Sequence, residues 1–355
     1  MKLTAKKLLL YFALLMTVCL PGCRKGKLHD VTNPEVAGVV VSPDWSADPD
    51  ANPTSVVAWF YSLDDPDLAP LRYEFSGRDG GEIELPVGKY NMIIYNNDTE
   101  MSMSDAHDEF HTHLLTTRTG SIQEMVPGAP ADDVLPRPAG TENEPIMMSP
   151  EPLWGSSLTE VNVKKNKKGY LTILQPVMHR LTFRYTFEIR NVQGLKNVTH
   201  LCALITGMAP SLTLHDRMSA GEPCSIPLVA EIVDATTIKG EFHTFGRIGK
   251  TRGEEIHLFG LYMWLRNGEP YTYGMDGEEL FDITDQLVGD DDEATTPGGN
   301  TGSGDGTGST SAAADIHIEI EGLNLPPVPD IAGNVAGDIN DWNKTETEST
   351  FAGES

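Results

Sequence analysis

Beyond residue 30 the chain has no long stretch with apolar residues at helical spacing. Short runs rich in Val, Ile, Thr, Tyr and Phe alternate instead with clusters of Gly, Pro, Asn and Asp. That alternation restricts the chain to strands folded into sandwiches or barrels, because each run is too short for a buried helix and is closed by turn-forming residues. In the first half the runs span 36–45, 55–62, 71–76, 82–85, 90–95 and 107–116. Turns such as Asp64-Asp65-Pro66-Asp67 and Gly77-Arg78-Asp79-Gly80-Gly81 divide them. A Pro-rich polar stretch, 120–141, reads as a long loop or crossover, and 153–163 returns the chain to the core. In the second half strands are expected at 170–174, 181–189, 199–206, 226–233, 240–244, 255–265, 271–273 and 315–321. Phe183, Tyr185 and Phe187 alternate there with Arg184 and Glu188, which gives that strand one buried and one wet face. Asn267-Gly268 marks a tight hairpin. Strands at this spacing favour an all-β fold of Greek-key sandwiches over a barrel.

With 355 residues the chain can bury two cores. The expected division is an N-terminal β-sandwich domain over 36–165 and a C-terminal β-sandwich domain over 166–330. The latter carries a flexible Asp-, Gly-, Ser- and Thr-rich loop over 289–314, and a polar tail follows over 331–355. The net charge of −26 would repel phosphates, so nucleic acid is not an expected partner.

The N-terminus carries an address. Lys2, Lys6 and Lys7 precede an apolar run over 8–20, long enough for a secretory signal and too short to cross a bilayer. The run ends in Leu20-Pro21-Gly22-Cys23, which resembles the bacterial lipobox. A signal peptide over 1–22 and lipidation of Cys23 follow, with 23–35 as the linker to the first strand. Arg24, Lys25 and Lys27 can lie against anionic head groups. No Asp follows Cys23, so the expected location is the outer membrane, lipid-anchored; the cell surface is the expected side, with a periplasmic orientation left open because no acidic residues directly follow the Cys. Cys19 leaves with the signal, and Cys202 and Cys224 remain. Separated by 22 residues, they can form a disulfide in an oxidising compartment or stay as two buried thiols.

Two motifs carry a family resemblance. The stretch from Tyr73 through Gly81, followed by Leu85-Pro86-Val87-Gly88-Lys89-Tyr90 and Tyr95-Asn96-Asn97-Asp98, resembles the N-terminal signature of an uncharacterised lipoprotein family of Bacteroidetes. That family is similar to the fimbrillins, the major and short fimbrial subunits and their accessory proteins. Asp338-Ile339-Asn340-Asp341-Trp342 resembles the motif that closes many fimbrillin-like C-terminal domains. The resemblance implies two tandem transthyretin-like β-sandwich domains behind a lipid anchor. In fimbrillins an arginine-directed protease removes the first strand, and a neighbouring subunit fills the vacated groove with a strand of its own. Here Arg24 is the only arginine between Cys23 and the second strand, and no long alternating apolar run follows Leu325. An anchor, tip or accessory subunit, or a free-standing adhesin, is therefore expected rather than a stalk unit. Its partners would be the outer membrane, other fimbrial subunits, or a host or bacterial surface ligand. The competing expectation is a glycan-binding surface lipoprotein of a nutrient-uptake system, for which Trp45, Trp59, Trp154, Trp264 and Trp342 would be the stacking candidates.

Catalytic chemistry is not expected. No GxSxG, HExxH or P-loop occurs, and no cofactor is implied. His107, His111 and His113 are weak metal candidates, with 111 and 113 on one side of an expected strand; a solvated polar edge is the competing reading. Asp290-Asp291-Asp292-Glu293 lacks the EF-hand spacing and reads as an acidic loop.

Overall fold

The structure, a computed structural model, describes residues 35–129, 135–165, 171–248, 256–275, 281–287 and 315–325. The signal segment, Cys23, the 289–314 loop with its acidic run, and the tail with Trp342 lie outside the described residues. The fold is all-β. The first half runs β1 (Val36–Val41), β2 (Ser55–Ser62), β3 (Leu71–Ser76), β4 (Gly81–Pro86), β5 (Gly88–Asn96), β6 (Ser102–Asp105), β7 (Leu114–Thr117), β8 (Trp154–Val163), β9 (Thr172–Leu174) and β10 (His179–Arg180). The second half runs β11 (Phe183–Gln193), β12 (Val198–Met208), β13 (Ser211–Thr213), β14 (Ser219–Ala220), β15 (Cys224–Val229), β16 (Glu231–Ile232), β17 (Ile238–Thr244), β18 (Leu258–Leu265), β19 (Pro270–Tyr273), β20 (Phe281–Asp282), a short helix α1 (Thr284–Leu287) and β21 (Asp315–Asn324).

Two face-to-face sheet pairs result. Sheet β4-β1-β9 packs on sheet β10-β8-β5-β2-β3, with Val39, Val41 and Leu85 meeting Val56, Phe60, Met92 and Ile94. Sheet β16-β17-β11-β21 packs on β15-β12-β18-β19, with Phe187 and Ile318 meeting Ile205, Phe259 and Leu261. In each pair the first strand lies between an antiparallel partner and a late strand that runs parallel to it: β1 between β4 and β9, β11 between β17 and β21. β11 shows the expected alternation. Its wet face carries ion pairs from Arg184 to Glu241 and from Lys239 to Glu188.

β2 and β5 do not alternate, and their covering explains the rest of the architecture. Val56, Ala58 and Phe60 of β2 face the first core. Val57, Trp59 and Tyr61 face the other way, beside Ile93 and Tyr95 of β5, and are equally buried. A strand apolar on both faces must be covered twice. The second cover is a small sheet, β14-β13-β7-β6, drawn from both halves of the chain, in which Leu115 pairs with Leu212. Each large side chain buried there contributes roughly 1.5–3 kcal/mol. The second sheet pair is treated the same way: Cys202, Leu204, Tyr262 and Trp264 turn outward from β12 and β18 and pack beneath Ile122, Val126 and Ala129. The described parts of the 120–141 stretch, 120–129 and 135–141, thus lie over that sheet.

Two expectations are corrected. Residues 107–116 do not form one strand; β6 and β7 make a hairpin, with Ala106 left-handed at its turn (φ 47) and 106–113 between the strands. The strand expected at 170–174 to open the second unit is β9 (Thr172–Leu174), which pairs with β1 of the first, because Leu174 and Met178 are buried in the first core.

Gly80 lies in the turn before β4 with φ +73, and a Cβ there would overlap the Val41 carbonyl and the Pro43 ring. Gly77 has a similar φ of +80 with nothing near its Cβ position. Gly80→Ala is expected to cost roughly 2 kcal/mol or more, and Gly77→Ala about 1 kcal/mol, both read from urea denaturation midpoints. Equal losses would show that the close approach to β1 does not matter.

Candidate functional site: the first strand and its groove

β1 reads Val-Ala-Gly-Val-Val-Val, and its alternate residues Ala37, Val39 and Val41 are buried. The strand is held along its full length on one side and over its second half on the other. Antiparallel pairing to β4 runs from Val36 opposite Pro86 to Val41 opposite Gly81. Parallel pairing to β9 sets Val39, Val40 and Val41 opposite Thr172, Ile173 and Leu174. The ladder then continues past the strand: Ser42 N–H donates to the Leu174 carbonyl at 2.8 Å, Asp44 N–H to Pro176 at 2.8 Å, and Met178 N–H returns to Asp44 at 2.8 Å. At the other end Val87 N–H donates to the Glu35 carbonyl at 2.8 Å, and the Glu35 carboxylate pairs with Lys165.

Just beyond β1 the chain is pinned by Trp45. Its indole N–H donates to the Arg78 carbonyl at 3.0 Å, and the Arg78 guanidinium lies 5.6 Å from the ring centroid. Trp45 meets Trp154 edge-on, Trp154 donates to Asp48 at 2.7 Å, and Arg180 donates to the same carboxylate at 3.1 Å. Lifting β1 would break ladders on both sides and open sockets for three buried side chains. Unpaired backbone and apolar sockets of that kind are what strand addition fills.

The histidines do not form a metal centre. His113 is fully buried, and both ring nitrogens are engaged: Nδ1 with the Tyr61 hydroxyl at 2.6 Å and Nε2 with the Ser104 hydroxyl at 2.8 Å. Burial, then the nearby His107, lowers its pKa to about 4. His107 packs on Trp59, while His111 meets Phe110 and His215. Among the described residues no group of His, Cys, Asp and Glu could hold a metal ion. His111, Asp108 and Glu109 line a cleft of about 360 Å³ together with Leu63 and Leu68.

The disulfide expectation is also corrected. Cys202 lies opposite Val229 and Cys224 opposite Met208, so the two sit at opposite ends of the β12–β15 pair and are free, buried thiols. At about 3.3 Å per residue that offset exceeds the roughly 7 Å a bridge allows between Cα atoms. Burial pushes the Cys202 thiol up to about 12 and raises Cys224 as well, the latter helped by Glu144. The excursion through β13 and β14 between the two strands, unseen in the sequence, sets this register.

Residues 22–229 match the family described as a domain of unknown function, DUF5119. The chain is 22% identical over 350 residues to a Bacteroides ovatus protein named as a candidate fimbrium anchoring subunit, Fim4B, covering 94% of each. It also superposes on the crystal structure of a candidate adhesin from Bacteroides ovatus with TM-score 0.56 at 17% identity, over 83% of this chain and 94% of that one. The superposition bears on the fold, which is shared.

Because His113 is buried neutral, the unfolded chain binds a proton below about pH 6.5 that the folded chain refuses until about pH 4. Stability from this group is complete above pH 6.5 and is lost as pH falls toward 4, by roughly 3 kcal/mol. His113→Gln is expected to flatten that acid limb in urea titrations. His179, lowered by burial and then by Arg217, leaves a remainder. An unchanged slope would refute the assignment. A second test uses iodoacetamide on the lipid-free chain (mature sequence, Cys23→Ala): Cys202 and Cys224 stay unmodified at pH 8 when folded and react fully in guanidinium, without prior reduction.

Proposed function

This chain belongs to the DUF5119 family, and we propose that it is a fimbrillin-like surface lipoprotein that terminates a fimbrium at its base, anchored in the outer membrane by lipid on Cys23. The setting of β1 carries this reading. Arg24 precedes β1, and no other arginine occurs before β2. A cut by an arginine-directed protease therefore falls on the membrane side of β1 and leaves the strand between β4 and β9. The groove stays filled by the chain's own residues. A subunit whose groove is filled accepts no donor strand there, so it ends a fibre rather than continuing it. The lipobox-like Leu20-Pro21-Gly22-Cys23 supports a membrane end, and the likeness to a protein named for fimbrium anchoring supports the base over the tip. Partner subunits would then meet the chain away from β1.

We read the chain as two tandem units joined near Thr182, somewhat later than the sequence alone suggested. The glycan-binding alternative draws no support from the aromatics: Trp45, Trp59 and Trp264 are buried, and Trp154 is tied to Asp48. The described residues thus offer no row of indoles to stack on sugars.

Two measurements test the proposal. Cys23→Ala should move the protein from the outer-membrane to the soluble fraction; a variant that still sediments with membranes at the native level removes the anchor. The purified mature protein, incubated with fimbrial stalk subunits and an arginine-specific protease, should keep residues 36–41 by mass spectrometry and form no homopolymer. Loss of those residues with growth of repeating homopolymers would make it a stalk unit.

A further inference from the structure

Among the described residues twelve large hydrophobics are exposed, and five of them, Val36, Leu63, Leu68, Val87 and Leu171, are 40–49% exposed and belong to one end of the first sheet pair. The register places them there. Val36 lies opposite Pro86, Gly88 opposite Val163, and Ser62 opposite Tyr90. The start of β1, the β2–β3 loop, the β4–β5 connection, the end of β8 and the approach to β9 therefore meet at a common end. The opposite end is where the second sheet pair begins: Leu181 N–H donates to the Leu153 carbonyl at 2.7 Å, beside the Trp154–Asn96 contact.

Charge does not set this end apart: Lys89, Lys164 and Lys165 stand against Glu35, Asp64, Asp65, Asp67 and the Asp108 and Glu109 that share a cleft with Leu63 and Leu68. Glu35 is paired with Lys165, and Asp64 accepts the Lys89 backbone N–H at 2.8 Å. The tether directs the end to a bilayer. The dozen residues from Cys23 to Glu35 span at most about 40 Å, include Arg24, Lys25 and Lys27, and hold the end at high effective concentration above the bilayer.

We propose that this end is a membrane foot, with Leu63, Leu68, Val87 and Val36 seated at the headgroup–acyl boundary of the leaflet that holds the lipid on Cys23. The inference rests on the anchored reading above and adds a fixed pose to it: the first sheet pair stands on the bilayer, and the second points away.

The buried thiols make the test clean. The Cys23 thiol is consumed by lipid, and Cys202 and Cys224 are buried with raised pKa values, so a single introduced cysteine takes the nitroxide label. Leu68→Cys, Val87→Cys and, on the second sheet pair, Ile232→Cys are labelled in the lipidated full chain. Each is reconstituted into vesicles of phosphatidylethanolamine and phosphatidylglycerol. Flotation reports anchoring, and power saturation with oxygen and a water-soluble nickel chelate reports depth. The expected result is a several-fold higher oxygen-to-nickel ratio at positions 68 and 87 than at 232. Adding Leu63→Asp to Val87→Cys should return position 87 towards the value at 232 while the protein still floats. A floating protein whose foot labels match 232 overturns the foot and leaves the anchor. Spin–spin broadening between foot labels assigns the face to a second copy instead and also overturns it. A protein that does not float removes the anchor, and the foot falls with it.

Discussion

Everything in this molecule beyond two stacked sheets follows from strands that are apolar on both faces. β2 and β5 bury Phe60, Met92 and Ile94 on one side and Trp59, Ile93 and Tyr95 on the other. A lone sandwich would leave that second face in water. The cover comes from hairpins contributed by both halves, β6–β7 and β13–β14, joined edge to edge. The halves are thus connected by shared apolar area as well as by the chain, and one cannot be peeled from the other without breaking the β7–β13 ladder and opening the cluster around Leu115, Leu212 and Phe245. The relation is stiffer than a linker would give.

Much of this was legible in the sequence. β2 and β3 match their expected bounds because Asp and Pro clusters bracket them, and the alternation in β11 named its buried face correctly. The double covering was not read, although the unbroken apolar runs of β2 and β18 carry its signal. What could not be read is which distant segment supplies the cover. His113 looked like half of a metal pair because its partners, Tyr61 and Ser104, come from other strands and are invisible to local spacing. Cys202 and Cys224 looked pairable because a 22-residue separation suits a hairpin, until the β13–β14 excursion displaced the register. β9 was assigned to the wrong half for a related reason: a three-residue parallel strand leaves no periodic signal, and its place is fixed by Leu174 entering the first core.

The candidate site obeys the same logic. β1 is fixed by neighbours on both sides and by Trp45 beyond it, so the strand that the fimbrillin resemblance marks as removable is built into the first core here.

The parallel strand that closes β1 also dictates an order of events during synthesis. Val39 must wait for Thr172, and β11 must wait for β21, so each half keeps its opening strand half-paired until a late strand has emerged. Separations of this length make for slow folding, because the loop must close before the contact rewards it. During that interval an apolar, β-branched strand lies open, a state prone to wrong pairing. Folding vectorially from its N-terminus, the chain cannot complete its first core from the first strands alone. A fold of this design depends on protection until β9 arrives.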